Sequence, residues 1–141
     1  MLKGISPLLS PDLLQVLAAM GHGDEIVLAD ANFPAASIGK RLLRLPGVPA
    51  PQVLDAVLSL LPLDTFVPHA AFTMQVVGDA TAVPEVVAEF NALLHKHGCH
   101  ATASLERFAF YERAAQAFAV VATGETRVYG NILLKKGVVL P

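Results

Sequence analysis

Short branched apolar runs alternate with apolar stripes at helical spacing along the whole chain, and this alternation limits the fold more than any other feature. Ser10-Pro11-Asp12 reads as a helix start, with Ser10 as N-cap, Pro11 in the first position and Asp12 on the positive end of the dipole. Leu13, Leu14, Leu17 and Ala18 continue it as a stripe, and Gly21 is the expected stop. Glu25 to Ala29 is too short and branched for a helix and reads as a buried strand, leaving through a loop at Asp30 to Pro34. Further strands are expected over Arg41 to Leu45, Phe72 to Val77, Ala103 to Arg107 and Ala117 to Ala122. Arg127 to Tyr129 and Ile132 to Leu134 complete the extended set. Helices are expected over Gln52 to Leu61, Pro84 to His97 and around Phe110 to Gln116. Helices interleaved with strands argue for α/β layering, one sheet with helices on both faces, rather than a bundle or a sandwich.

Length and composition narrow the class further. A chain of 141 residues is one domain, 1–141, able to bury a core without staples. Hydrophobic residues make up 54% and charged residues only 16%, against a typical charged share of about 25%. So oily a small domain has more apolar surface than one core hides, so a homo-oligomer is expected. The net charge of −2 and the lack of a basic face exclude a nucleic-acid footprint. No run approaches the ~18 apolar residues of a membrane span. Pro7, Pro11 and Asp12 interrupt any signal-like segment. The lone Cys99 allows no internal disulfide, and the expectation is a cytoplasmic protein.

Several polar residues stand where chemistry could reside. His22 follows a helix end and is flanked by Gly23, Asp24 and Glu25; it reads either as a proton-transfer imidazole or as a polar turn residue. Asp30 ends a strand, where open α/β sheets gather ligands; it equally suits a turn that bonds its own backbone. Arg107 offers a fork of donors and Tyr111 a titratable phenol, in a segment whose Phe108 and Phe110 suit a core. Tyr129-Gly130-Asn131 combines a hydroxyl, a bare backbone open to close approach and a two-way amide; it also fits a hairpin turn. His95, His97, Cys99 and His100 resemble a metal cluster, but Gly98 breaks the helix between them and no metal is expected. Glycine-rich phosphate loops and nucleophile elbows are missing. The surviving set can bind a neutral sugar and move protons.

Two separated, colinear blocks resemble the sugar mutarotase family that holds the L-fucose mutarotases and D-ribose pyranase. The first is Met1-Leu2-Lys3, Ile5-Ser6-Pro7, Met20-Gly21-His22-Gly23-Asp24-Glu25-Ile26, Asp30-Ala31 and Phe33-Pro34-Ala35. The second is Arg107-Phe108-Ala109-Phe110-Tyr111-Glu112-Arg113-Ala114, Thr123-Gly124-Glu125 and the run from Tyr129 to Gly137. The resemblance implies His22 as proton donor, Tyr111 as its catalytic assistant, and Asp30, Arg107, Tyr129, Gly130 and Asn131 as sugar-binding positions. Arg107 stands where the ribose branch looks like histidine, which favours the fucose branch. The resemblance further implies a three-layer α/β/α subunit with a central mixed sheet, in a ring-built homodecamer with sites near subunit contacts. The implied substrate is a monosaccharide and no cofactor is required. Residues 40–100 match weakly, and Asp64, which falls there, is left unassigned. The alternatives are a sugar-binding or transport-accessory protein without turnover, and a D-ribose pyranase.

Overall fold

A computed structural model describes all residues, Met1–Pro141. Eleven elements follow one another as α1 (Pro11–Ala19), β1 (Glu25–Ala29), α2 (Ala35–Ile38), β2 (Leu42–Leu45), α3 (Ala50–Leu58), β3 (Ala71–Met74), α4 (Glu85–Lys96), β4 (Ala103–Leu105), α5 (Arg107–Gln116), β5 (Ala119–Thr123) and β6 (Ile132–Lys135). The strands form one sheet in the order β2-β5-β1-β6-β3-β4. β2, β5 and β1 run parallel, as do β3 and β4, and β6 lies antiparallel between β1 and β3. Five strands therefore point one way and β6 alone points back. One edge of the sheet collects the carboxyl ends of those five strands and the entry to β6. The opposite edge collects the entry to β1 and the exit from β6.

Alternation along the central strands builds two cores. Ile26 and Leu28 of β1, Val121 of β5 and Ile132 and Leu134 of β6 face one side, where Leu13 and Leu17 of α1, Val53 and Leu54 of α3, and Phe90 and Leu94 of α4 pack. Val27, Val120 and Leu133 face the other, with Ala35 of α2 and Phe110 and Ala114 of α5. The central strands are buried on both faces, which is why they read as continuous apolar runs. The expected mixed sheet with helices on both faces is present. No helix is long and apolar enough to cross a membrane.

Local chemistry accounts for the boundaries. The Ser10 side chain accepts from Leu13 N at 3.2 Å and starts α1 at Pro11. α4 stops where Gly98 takes φ +73°. Several expectations shift. α1 ends before Gly21 as expected, but through an extended Met20 C-cap and without a left-handed glycine. The strand expected to run to Arg107 ends at Leu105, because the Glu106 carboxylate accepts from Ala109 N and opens α5 at Arg107. The strand expected to reach Val77 stops at Met74. Arg127 to Tyr129 is a turn, not a strand, since Glu125 and Glu89 hold the Arg127 guanidinium and Tyr129 adopts φ +62°. The short α2 lies in the stretch after the expected loop.

Candidate functional site

The register of β1 against β6 pairs Leu28 with Ile132. Continued past the strand ends, it sets Gly130 across from Asp30. Asn131 then grips Asp30 twice: its Oδ1 accepts from Asp30 N at 2.7 Å, and its Nδ2 donates to Asp30 Oδ2 at 3.0 Å. The second carboxylate oxygen accepts from Asn32 N at 2.9 Å. Asp30 is buried, and that burial lifts its carboxyl above the usual range although these donors pull it down.

Tyr129 stands in the left-handed region at φ +62°, which costs a non-glycine residue about 1–2 kcal/mol. Its hydroxyl accepts from Val77 N at 3.1 Å, so its proton is free to donate elsewhere. Beneath this turn sits Glu125, a buried carboxylate. It accepts from Ala50 N at 3.3 Å, from Arg127 N at 3.0 Å and from the Arg127 guanidinium, which also forks onto Glu89 at 2.9 Å. Those bonds hold the Glu125 carboxyl below the usual glutamate range, and the two carboxylates push Arg127 upward. A Cβ on Gly130 would stand 2.7 Å from Glu125 Cγ and 3.0 Å from Arg127 O. Internal packing by itself therefore requires a glycine at position 130. Sequence reading placed Glu125 only in a stretch that resembles the family; its role depends on a buried neighbour from α3 that no local pattern reveals.

Arg107 and Tyr111 sit one turn apart at the start of α5. The Arg107 guanidinium lies 4.6 Å from the Phe108 ring centre, and its Nε is buried without a hydrogen-bond partner. Tyr111 packs edge-on against Phe33, ring centres 5.5 Å apart. A cavity of about 400 Å³ opens here. Asp30, Arg107, Tyr111, Tyr129 and Asn131 line it together with apolar Phe33, Met74 and Val77. An acceptor-rich carboxylate, an amide, two phenols and a guanidinium with an unpaired N–H can meet the several hydroxyls of a pyranose.

His22 is not in this cavity. It precedes β1 whereas Asp30 follows it, and a five-residue strand spans about 17 Å. At its own edge His22 Nε2 lies 3.3 Å from Asp64 Oδ1, the ring half exposed and the carboxylate buried. The ring also lies against exposed Phe66, centres 5.7 Å apart. Asp64 accepts from Phe66 N at 3.0 Å, and that bond, then His22, holds its carboxyl below the usual range. Asp64 reaches this place because Gly137 lacks a side chain: a Cβ there would meet Leu63 O at 2.5 Å and Asp64 Cα at 2.8 Å. A carboxylate on one imidazole nitrogen fixes the orientation of the ring. One chain therefore carries two candidate half-sites, one at each end of β6.

The model of the RbsD / FucU transport protein family matches residues 3–139. The chain belongs to this family. A human fucose mutarotase is 55% identical over 144 residues, covering 97% of this chain and 94% of that protein. A bovine fucose mutarotase is 52% identical over 146 residues, covering 99% and 95%. The crystal structure of a fucose mutarotase in complex with L-fucose from Streptococcus pneumoniae superposes with a TM-score of 0.93 at 48% identity, covering 99% of this chain and all of that one. For this RbsD/FucU member the matched span includes both half-sites, from His22 to Asn131.

Proposed function

We propose that the protein is a sugar mutarotase that interconverts the α and β anomers of L-fucose. The observation that carries this reading is the cavity that joins Asp30, Arg107, Tyr111, Tyr129 and Asn131, in a chain 55% identical to a fucose mutarotase. Anomer exchange opens the hemiacetal ring. The anomeric hydroxyl loses its proton, the bond from the anomeric carbon to the ring oxygen breaks, and the ring oxygen gains a proton. Rotation and the reverse steps close the ring on the other carbonyl face. No electrons are exchanged and no group is transferred, so the reaction asks for placed acids and bases rather than a cofactor. In this reading His22 serves the ring oxygen and Tyr111 the anomeric hydroxyl. Asp30, Tyr129 and Asn131 hold the remaining hydroxyls, the Gly130 backbone closes the floor, and Arg107 orients the ring.

His22 and the cavity lie at opposite sheet edges of one chain, so the His22 that serves a given cavity comes from a second copy. Both half-sites carry exposed apolar rims: Phe66 beside His22, and Val77, Phe108 and Val128 around the cavity. Pressing one rim on the other would bury both, which favours head-to-tail association of copies; the resemblance of the sequence extends this to a ring-built homodecamer in the cytoplasm. A trace of protein added to equilibrated L-fucose tests the activity. Magnetisation transfer between the anomers at substoichiometric protein is expected. Binding without exchange would leave a sugar-binding protein, and faster exchange on D-ribose than on L-fucose would move it to the pyranase branch.

A further inference from the structure

α1 has no basic residue in its last turn, so nothing of its own meets the partial negative charge of its final carbonyls. The cation comes from the exit of β6 instead. Lys136 Nζ donates to Leu17 O at 2.8 Å and also to Met20 O. The same residue pairs through its backbone with the turn that follows: Gly23 N donates to Lys136 O at 2.8 Å, and Lys136 N donates to Asp24 O at 2.9 Å. On its other side Lys136 bridges Leu63, while Asp64 N donates to the neighbouring Lys135 O at 3.0 Å. His22 lies inside the turn so held, and Asp64 follows the bridged residue. One side chain and two successive peptide units thus tie together the two segments that carry the imidazole and its carboxylate.

We propose that Lys136 is the positioning residue of the proton-transfer half-site. Its ammonium closes the end of α1 and locks the Met20–Asp24 turn, so that His22 meets Asp64 in one geometry. Lys136 does not line the sugar cavity, and no sugar contact is assigned to it. The inference rests on reading His22 as an acid/base residue. A misplacement on the order of 1 Å at a reacting group costs about 10²-fold in rate, so the loss should appear in turnover and not in binding.

The test uses the full-length protein and L-fucose, with anomer exchange at saturating sugar and the sugar dissociation constant measured separately. Lys136→Met is expected to slow exchange by roughly 10- to 100-fold while the dissociation constant stays within about twofold. Lys136→Arg, which restores a cation able to reach two carbonyls, should recover most of the rate. Lys136→Gln reaches one carbonyl without charge; it covers the case in which the methionine variant does not fold, and the same split is expected of it. Wild-type exchange in a folded Met or Gln variant overturns the proposal. So does a parallel loss of binding and rate, or a failure of arginine to rescue, since those mark a merely structural residue. His22→Gln is run beside them. Undiminished exchange in that variant removes the reading of His22 itself, and the role of Lys136 falls with it. A dead His22 variant beside a fully active Lys136→Met overturns the positioning role alone.

Discussion

The two ends of β6 are built differently. At its entry, Asp30 and Asn131 are buried and doubly bonded, and the turn before them rests on a buried Glu125–Arg127 clamp. At its exit, His22 is half exposed and touches one carboxylate. In the proposed reading the entry is the binding surface, its polar groups already held by one another. In the same reading the exit is the proton donor, oriented by Asp64 but open to solvent. Binding wants preorganisation, whereas a group that must meet a substrate held elsewhere has to stand at the surface. The division predicts that damage at the two ends will separate cleanly into lost affinity and lost turnover.

The strongest way to break that division is to remove His22. His22→Gln is expected to slow L-fucose anomer exchange by about 10²- to 10⁴-fold, the usual worth of a placed proton transfer, with sugar binding retained. Asn131→Ala is expected to do the converse. It removes the partner of the Asp30 amide and the donor to Asp30 Oδ2, leaving the carboxylate its bond from Asn32 N; it is expected to cost about 2–3 kcal/mol of stability and to abolish sugar binding by calorimetry. The two inactive variants should then complement one another. Mixed, unfolded and reassembled together, they are expected to regain exchange, because some cavities pair an intact Asn131 with an intact His22 from the other chain. Mixtures as inactive as either parent would mean that one chain must carry both halves, and the division would be wrong.

A smaller effect sharpens the same contrast. Gly130 and Gly137 flank β6, and each makes room for one half-site. Gly137→Ala forces Leu63 and Asp64 away and is expected to lower exchange at saturating sugar with affinity little changed. Gly130→Ala pushes on Glu125 and the Arg127 carbonyl and should weaken sugar binding first. Each overpacked site should lose about 1–3 kcal/mol of stability in urea titrations. Equal kinetic signatures from both would show that β6 transmits the disturbance from end to end.

What could be read from the residues follows from which forces are local. The central strands were legible because burial on both faces leaves an unbroken apolar run, and α1 and α4 because each pairs a stripe with a recognisable start or stop. α2 was not, since four residues have no periodicity to show. Arg107 was placed at a strand end because a glutamate is a weak capping signal, and only the Glu106–Ala109 bond reveals that the helix has begun. The cavity residues lie in two blocks that meet only after the sheet is ordered, yet Asp30 follows the end of one strand and Asn131 precedes the start of another, positions that can be read. The separation of His22 from them could not be read, because it depends on β6 running against its neighbours. Asp64 reaches His22 through a contact at Gly137, far along the chain.

Acid titration supplies the finest test, since the carboxylates at the two ends shift in opposite directions. Burial raises Asp30, so the folded chain holds that proton more tightly than the unfolded one. Its contribution favours the fold in acid and is lost as pH rises through the folded value. Asp64 is lowered, chiefly by the Phe66 amide and then by His22. Its contribution is present above the ordinary carboxylate value of 3.8 and is lost as pH falls through the folded value. Urea midpoints of wild type, Asp30→Asn and Asp64→Asn between neutral pH and the onset of acid unfolding therefore should diverge. The cost of Asp64→Asn is expected to shrink toward acid pH, while that of Asp30→Asn grows, because the wild type gains on a variant with nothing to protonate. Two costs that move together would mean that both carboxylates feel one environment, and the contrast between a buried binding end and an open proton-transfer end would lose its electrostatic basis.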